Sequence, residues 1–232
     1  SGIYVSLDDG ANWQRWQANL PLTPVYDLLV KENDLIAGTH GRGFWLMDDL
    51  TPLHQYVTHN TQHATRNTPH LFQPRTTYRI LPDLFAAYWG PGEGRAYGLG
   101  LGKGAIIDVK KNDHGQLELT VLDGGKGADQ GAVITYALAE APAADVKCTL
   151  AFLAANGTVI REFSPKPAGY EKLDDKDKAL DPGPWMPVKA GLNRFVWDLR
   201  HAGATRLRGN KTAGEGNNGR FVLPGTYQVR LT

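Results

Sequence analysis

The chain has 232 residues, enough for one large domain or two small ones with buried cores of their own. Its 25 Lys and Arg nearly balance its 24 Asp and Glu, so we expect no basic surface for nucleic acid or for an anionic membrane. The single cysteine excludes an intrachain disulfide, and no apolar stretch approaches the roughly 20 residues that span a bilayer.

Short strands separated by turns are predicted from the N-terminal end onward. The 27 Gly and 14 Pro, with β-branched and aromatic runs between turn clusters, indicate an all-β protein. Before the fifth strand, Gly41 and Gly43 indicate a tight corner. The predicted strands of this part are Gly2–Ser6, Trp13–Trp16, Val25–Val30, Leu35–Thr39 and Phe44–Met47.

A module boundary is predicted at residues 58–75, which are polar, contain Pro and show no period, as in a linker. Beyond it, the glycine-rich stretch Tyr88–Gly104 predicts an irregular loop with β-bulges. It lacks the GxxxxGK[ST] pattern of a phosphate-binding loop, and no predicted helix follows it. Residues 1–57 and 76–232 are therefore expected to form two modules.

The second module is predicted to be a sandwich of short strands. Asn156-Gly157 is a strong hairpin signal, Cys148 is expected to be a small core residue, and a long polar loop runs from Ser164 to Pro187. Alternating strands with long loops predict an immunoglobulin-like or fibronectin-III-like β-sandwich. The predicted strands are Gly131–Leu138, Val146–Leu153, Thr158–Phe163, Gly191–Leu199 and Tyr227–Leu231.

One local motif carries more information than the strand pattern. Ser6, Asp8, Gly10 and Trp13 fit the pattern SxDxGxxW. The Asp side chain can accept hydrogen bonds from the amides of its own turn, Gly allows a positive φ, and the Trp ring can be buried beneath the turn. These four residues predict a hairpin that satisfies its own polar groups.

The same eight residues resemble the Asp-box, or BNR repeat, of sialidases, sortilin-type ten-bladed propellers and xyloglucanases, with Asn12 in the place of the usual Thr. In those families the motif lies on the outer rim, between the third and fourth strands of a blade, so the resemblance implies a structural role. The stretches Gly38–Asp49, Asn193–Arg200 and Pro224–Tyr227 resemble the last blade and closing sandwich of bacterial sortilin-like, glycosyl-hydrolase-like proteins. Residues from about 90 to 130 resemble nothing we recognise.

This resemblance implies that the first strands are parts of two propeller blades and that the chain is the C-terminal part of a longer protein. That protein is expected to be secreted, periplasmic or at the cell surface. The open β edges are expected to pair with the rest of the parent propeller or with another copy. Protein or carbohydrate is the expected ligand class, and no cofactor is implied.

Two functions remain open at this stage. The first is a noncatalytic structural or interaction role. The second is a contribution to a glycoside hydrolase whose active site lies mostly upstream. His40 and Arg42 are the candidate ligand-facing residues, because a His and an Arg at a strand end could face a propeller funnel, although His40 could equally hydrogen-bond backbone in its corner. Asp48 and Asp49 are neighbours on a strand and point to opposite faces, so they cannot flank one glycosidic bond, and no catalytic residue is assigned.

Aromatic and metal-binding candidates complete the expectations. Trp89 and Trp185 are candidate sugar-stacking residues, with packing against a neighbouring module as the alternative. Trp13, Trp45 and Trp197 are expected in cores. No metal site is assigned: His59 and His63 lie on a stretch expected to be non-helical. The acidic set lacks calcium-loop spacing and is expected to form a solvated loop; it comprises Asp174, Asp175, Asp177 and Asp181.

Overall fold

The computed structural model describes residues 2–62, 68–79, 93–100, 103–111, 117–122, 129–143, 146–209 and 219–232. Small antiparallel sheets dominate these ranges, so the predicted all-β class is confirmed. The chain divides into two compact units. The first unit comprises Ser1–Ala64, Asp83–Lys110 and Leu117–Ala128, and the second comprises Thr65–Pro82, Lys111–Gln116 and Asp129–Thr232. The predicted modules at 1–57 and 76–232 stay predictions.

The first unit begins with two small antiparallel sheets. Strands β1 (Tyr4–Val5) and β2 (Gln14–Arg15) form a hairpin, and β3 (Val25–Lys31), β4 (Asp34–Thr39) and β5 (Phe44–Met47) form a sheet in that order. Glu32 and Asn33 link β3 to β4 with positive φ values of 51° and 66°, the sign that a tight two-residue hairpin requires. All five strands predicted in this part are present, although β1 and β2 have two residues each and are shorter than predicted.

A helix, α1 (Thr51–Gln62), follows β5 at a place where no helix was expected. The predicted non-helical linker from residue 58 is wrong over its first residues, because α1 continues through them. Local capping explains where the helix begins. The Asp49 carboxylate accepts the Thr51 N–H at 3.1 Å, and Pro52 in the first turn needs no hydrogen-bond partner for its nitrogen.

The glycine-rich stretch is also different from its prediction. Strands β7 (Gly94–Gly100) and β8 (Lys103–Lys111) pair antiparallel from Gly94 opposite Val109 to Gly100 opposite Lys103, and β9 (Leu117–Val121) lies beside β8. The irregular loop expected for Tyr88–Gly104 is therefore wrong from Gly94 onward. The β-branched residues of β8 supply the strand propensity that the glycines of β7 lack.

The second unit contains two three-stranded sheets. One has the order β13-β10-β6 and the other β12-β11-β14. Their bounds are β6 His70–Leu71, β10 Ala132–Leu138, β11 Leu150–Ala154, β12 Val159–Phe163, β13 Gly191–Trp197 and β14 Tyr227–Leu231. The long polar loop between β12 and β13 holds a 3-10 helix (Tyr170–Lys172) and one turn of helix, α2 (Asp175–Lys178).

Aromatic rings from both of these sheets form one core. Phe152 of β11 stacks on Trp197 of β13 with ring centroids 4.4 Å apart, and Phe163 of β12 contacts Phe195 of β13 at 4.6 Å. The Trp197 indole N–H donates to the Arg200 carbonyl at 3.0 Å, so its one polar atom is satisfied in the core. Trp197 and Cys148 are buried as expected.

Candidate functional site

The β3-β4-β5 sheet of the first unit is apolar on both faces. Side chains alternate across a strand, so neighbouring residues on β3 point to opposite sides of the sheet. Leu29 is 54% exposed and Val30 is 58% exposed. Both faces therefore present apolar side chains to solvent. The cross-strand rows are Leu29, Ile36 and Leu46 on one face and Val30, Leu35 and Met47 on the other.

The edges of this sheet are open as well. Strands β3 and β5 are its outer strands, and neither pairs on its other side with a strand in the described ranges. Phe44 at the start of β5 is 85% exposed. An open edge beside apolar faces is a template for pairing with another strand. The sequence signal for this surface was the run Val25–Lys31, which is mostly apolar without alternation.

The predicted self-satisfied hairpin forms between β1 and β2. The Asp8 carboxylate accepts the Asn12 N–H at 2.8 Å, the Asn12 side-chain amide at 2.5 Å and the Ser6 hydroxyl at 2.8 Å. The Ser6 hydroxyl oxygen accepts the Gly10 N–H at 2.8 Å, and Gly10 has a φ of 88°. The Asn12 amide, first among these donors, lowers the pKa of Asp8 below its ordinary value. Asn12 thus supplies a side-chain hydrogen bond to Asp8.

Trp13 does not lie in a core. Its ring is 65% exposed, so the expectation that it is buried beneath the turn is wrong. The physical reason is the size of its sheet: β1 and β2 pair over two residues each, too few to cover a large ring. Trp13 adds to the exposed apolar surface of the first unit.

His40 and Arg42 lie in the corner between β4 and β5, and both are exposed. The corner is fixed by backbone contacts: the His40 N–H donates to the Pro24 carbonyl at 2.9 Å, and the Thr23 hydroxyl donates to the His40 carbonyl at 2.8 Å. The Trp45 indole N–H donates to the Arg42 carbonyl at 3.0 Å. The backbone is held, and the imidazole and guanidinium are left accessible to a ligand.

One aromatic ring accompanies this pair. The Tyr26 ring lies 5.2 Å from the His40 ring, between centroids. An imidazole beside a phenol is a polar group with an aromatic wall, suited to hydrogen-bonding and stacking on a ligand. Tyr26 could not be identified from the sequence, because no local motif links a residue of β3 to the corner after β4.

The two candidate sugar-stacking residues have different outcomes. Trp89 lies outside the described residues. Trp185 is half-buried in the loop between β12 and β13, where its ring meets that of Tyr170 edge-on at 4.5 Å. The Lys166 ammonium lies 5.1 Å from the Trp185 ring centroid. Part of the ring surface that a sugar would need is therefore in contact with Lys166 and Tyr170.

Asp174, Asp175 and Asp181 of the same loop are exposed, as expected for a solvated loop, and Asp174 also caps the one-turn helix α2. The Asp174 carboxylate accepts the Asp177 N–H at 2.8 Å, which lowers the pKa of Asp174. Arg208 pairs with both, at 2.6 Å from Asp174 and 2.5 Å from Asp177. This cluster is accounted for by helix capping and ion pairing.

Asp48 and Asp49 directly follow β5, and the Asp49 backbone and side chain both make local hydrogen bonds. Its N–H donates to the Asp34 carboxylate at 2.9 Å, while its own carboxylate caps α1. Across the described ranges, no three His, Cys, Asp or Glu side chains converge as metal ligands. His63 lies outside the described residues. Over the same ranges, every helix is too short or too polar to cross a membrane.

Comparison with protein-family models, with curated proteins and with solved structures finds no match to this chain.

Proposed function

We propose that β1 to β5 are parts of two neighbouring blades of an Asp-box, sortilin-like β-propeller, and that the β10 to β14 sandwich is its immunoglobulin-like or fibronectin-III-like companion. In this proposal the chain is the C-terminal part of a secreted, periplasmic or cell-surface protein. Its role is noncatalytic: it holds the parent protein together or contacts protein or carbohydrate.

The two apolar faces of the β3-β4-β5 sheet carry this proposal. A sheet that covers one core needs one apolar face, whereas a propeller blade lies between two neighbours and needs two. The exposure of Leu29 and Val30, on opposite faces, fits a blade whose neighbours are missing. An ordinary surface sheet would carry polar residues on one of these faces.

The β1-β2 hairpin supports the same proposal. Its turn is stabilised by the Ser6, Asp8 and Asn12 side chains and by the backbone, so it needs nothing from the rest of the fold. A turn of this kind can recur at every blade of a repeat protein, because it is a local structure. The exposed Trp13 ring would be covered where blades lie side by side.

The test of this proposal is the solution mass of the chain, measured by light scattering over a range of concentrations. We expect a mass above the 25.4 kDa of one chain that rises with concentration, because the open edges and faces pair with other copies. Hydrogen exchange of the β3 amides checks that these edges are the contact. A monomer at every concentration, with β3 amides that exchange freely, would refute the proposal.

A second candidate function is a contribution to a glycoside hydrolase of the sialidase or xyloglucanase type. The exposed His40, with the Tyr26 ring beside it, and the exposed Arg42 two residues further on favour it, since they could line one side of a substrate cleft. The test is hydrolysis of an aryl sialoside and of xyloglucan by the parent protein. Loss of turnover in both His40→Ala and Arg42→Ala would support this function, and unchanged turnover would exclude these residues from the site.

A further inference from the structure

The second unit has an apolar cleft at one end of its two sheets. The cleft has a volume of about 640 Å³, within the range of about 300–1,000 Å³ typical of ligand pockets. Leu71 and Leu138 line it from one sheet, and Val229 and Leu231 line it from the other. Cys148 also lines the cleft, and burial raises the pKa of its thiol.

The pairing register of β14 turns unused backbone groups toward the open side of its sheet. Thr149 and Thr232 exchange two hydrogen bonds, at 2.9 and 3.0 Å, and antiparallel pairs of this kind recur at every second residue. Arg230 is thus bonded to β11, whereas the N–H and C=O of Val229 and Leu231 point away from it. Within the described ranges, no backbone hydrogen bond reaches these groups.

The same two residues place their side chains in the core and the cleft. Val229 and Leu231 pack against the buried cluster of the second unit, and both line the cleft. A strand edge without a pairing partner among the described residues and an apolar cleft therefore occur together. This is the arrangement by which sheets bind an extended peptide: the edge supplies main-chain hydrogen bonds, and the cleft accepts alternate side chains.

The charged residues at the rim of the cleft indicate which side chains such a peptide should carry at its outward positions. Arg230 is exposed and lies opposite Ala151 on the outer face of the sheet, so a strand added to β14 would place a side chain next to it. Lys147 is a second cation at the cleft, with the Glu162 carboxylate at 3.9 Å, and Glu140 is an acid at the same rim. Acidic residues at the outward positions of the peptide complement Arg230.

We propose that the edge of β14 is a strand-addition site for an extended partner peptide in which apolar and acidic residues alternate. Its apolar side chains, two residues and about 7 Å apart, enter the cleft. Its amides and carbonyls pair with Val229 and Leu231. The proposal concerns the second unit alone and does not depend on the propeller proposal.

The experiment is fluorescence anisotropy of the full chain with a labelled peptide of sequence Ser-Glu-Leu-Glu-Leu-Glu-Ser. We expect saturable binding, and we expect the Val229 amide, observed by NMR, to exchange more slowly when the peptide is bound. A matched peptide with N-methylated leucines keeps the apolar side chains and loses the backbone donors. We expect it to bind at least tenfold more weakly. Equal binding would overturn the proposal in favour of a simple apolar pocket, and no binding at millimolar peptide would overturn it entirely.

Two variants test the site on the protein side. In Val229→Pro the lost N–H is one that points to solvent, so pairing with β11 is kept while one donor of the edge is lost, and we expect the peptide affinity to fall at least tenfold. In Arg230→Glu we expect about fivefold weaker binding of the Glu peptide and tighter binding of its Lys counterpart. Unchanged affinity in Val229→Pro, or no reversal of charge preference in Arg230→Glu, would contradict the proposed site.

Discussion

Charged substitutions on the two faces of the β3-β4-β5 sheet give the sharpest prediction for the first unit. Leu29→Glu alters one face and Val30→Glu alters the other. In a blade with neighbours on both sides, each substitution places a carboxylate in an apolar contact. We therefore expect each single variant to reduce self-association of the chain and the double variant to be monomeric.

The magnitude follows from the exposure of these side chains. Burial of a whole Leu or Val side chain is worth about 1.5–3 kcal/mol, so covering the exposed 54% of Leu29 is worth about 0.8–1.6 kcal/mol. A free energy of 1.4 kcal/mol is tenfold in a dissociation constant, and the carboxylate adds a desolvation cost. We expect the association constant to fall by about tenfold or more for each face.

The measurement is light scattering, or sedimentation equilibrium, on the wild-type chain and the two variants. Leu207→Glu is the matched control, because Leu207 is 69% exposed and belongs to the second unit. We expect the control to associate like the wild type. If only one of the two variants reduced self-association, the sheet would have a partner on one face only. An equal loss of self-association in Leu207→Glu would refute the reasoning.

Three further predictions concern single side chains. Asn12→Ala should raise the pKa of Asp8 toward its ordinary value of 3.8, measured by NMR titration of the carboxyl. Because the pKa of Asp8 is lower in the folded chain than in the unfolded chain, its contribution to the stability of the hairpin is present above pH 3.8 and is lost as the pH falls through the folded pKa. Trp197→Phe removes the donor to the Arg200 carbonyl and should cost about 1–3 kcal/mol, or roughly 3–10 °C in calorimetry. Trp185→Ala should lower the melting temperature, because the Trp185 ring packs on the buried Tyr170. The same variant tests sugar stacking on a glycan array: a wild-type signal that is lost in Trp185→Ala would support stacking, and no signal from the wild type would exclude it.

The strand positions were predictable because each strand carries its signal locally. Phe44–Met47 matches β5 at both ends, and the Asn156-Gly157 hairpin lies between β11 and β12 where the dipeptide predicts it. The turn contacts of Asp8 were predictable for the same reason, since every partner lies within four residues. Local chemistry decides these features, whatever the rest of the chain does.

The features that were not predicted from the sequence depend on contacts outside their own segments. Helix α1 depends on the cap from Asp49, and β7 depends on pairing with β8, which lies beyond the glycines themselves. Neither dependence is visible in the composition of the segment concerned. The contact of Tyr26 with His40 joins β3 to the corner after β4, so it too follows from the pairing of the strands and not from sequence spacing.

The motif that contains Trp13 has one feature that the sequence predicts and one that it does not. Its motif correctly predicts the turn that precedes it, yet burial of its ring requires surfaces outside the hairpin. A sequence can specify a local turn completely while leaving the burial of its largest side chain to a neighbour. The same distinction applies to β3, whose apolar residues on both faces indicate neighbours and do not identify them. Within the described residues of the first unit, the exposure of Trp13 and of both faces of β3 is thus one observation: the local turns and strands form, and these apolar side chains remain exposed.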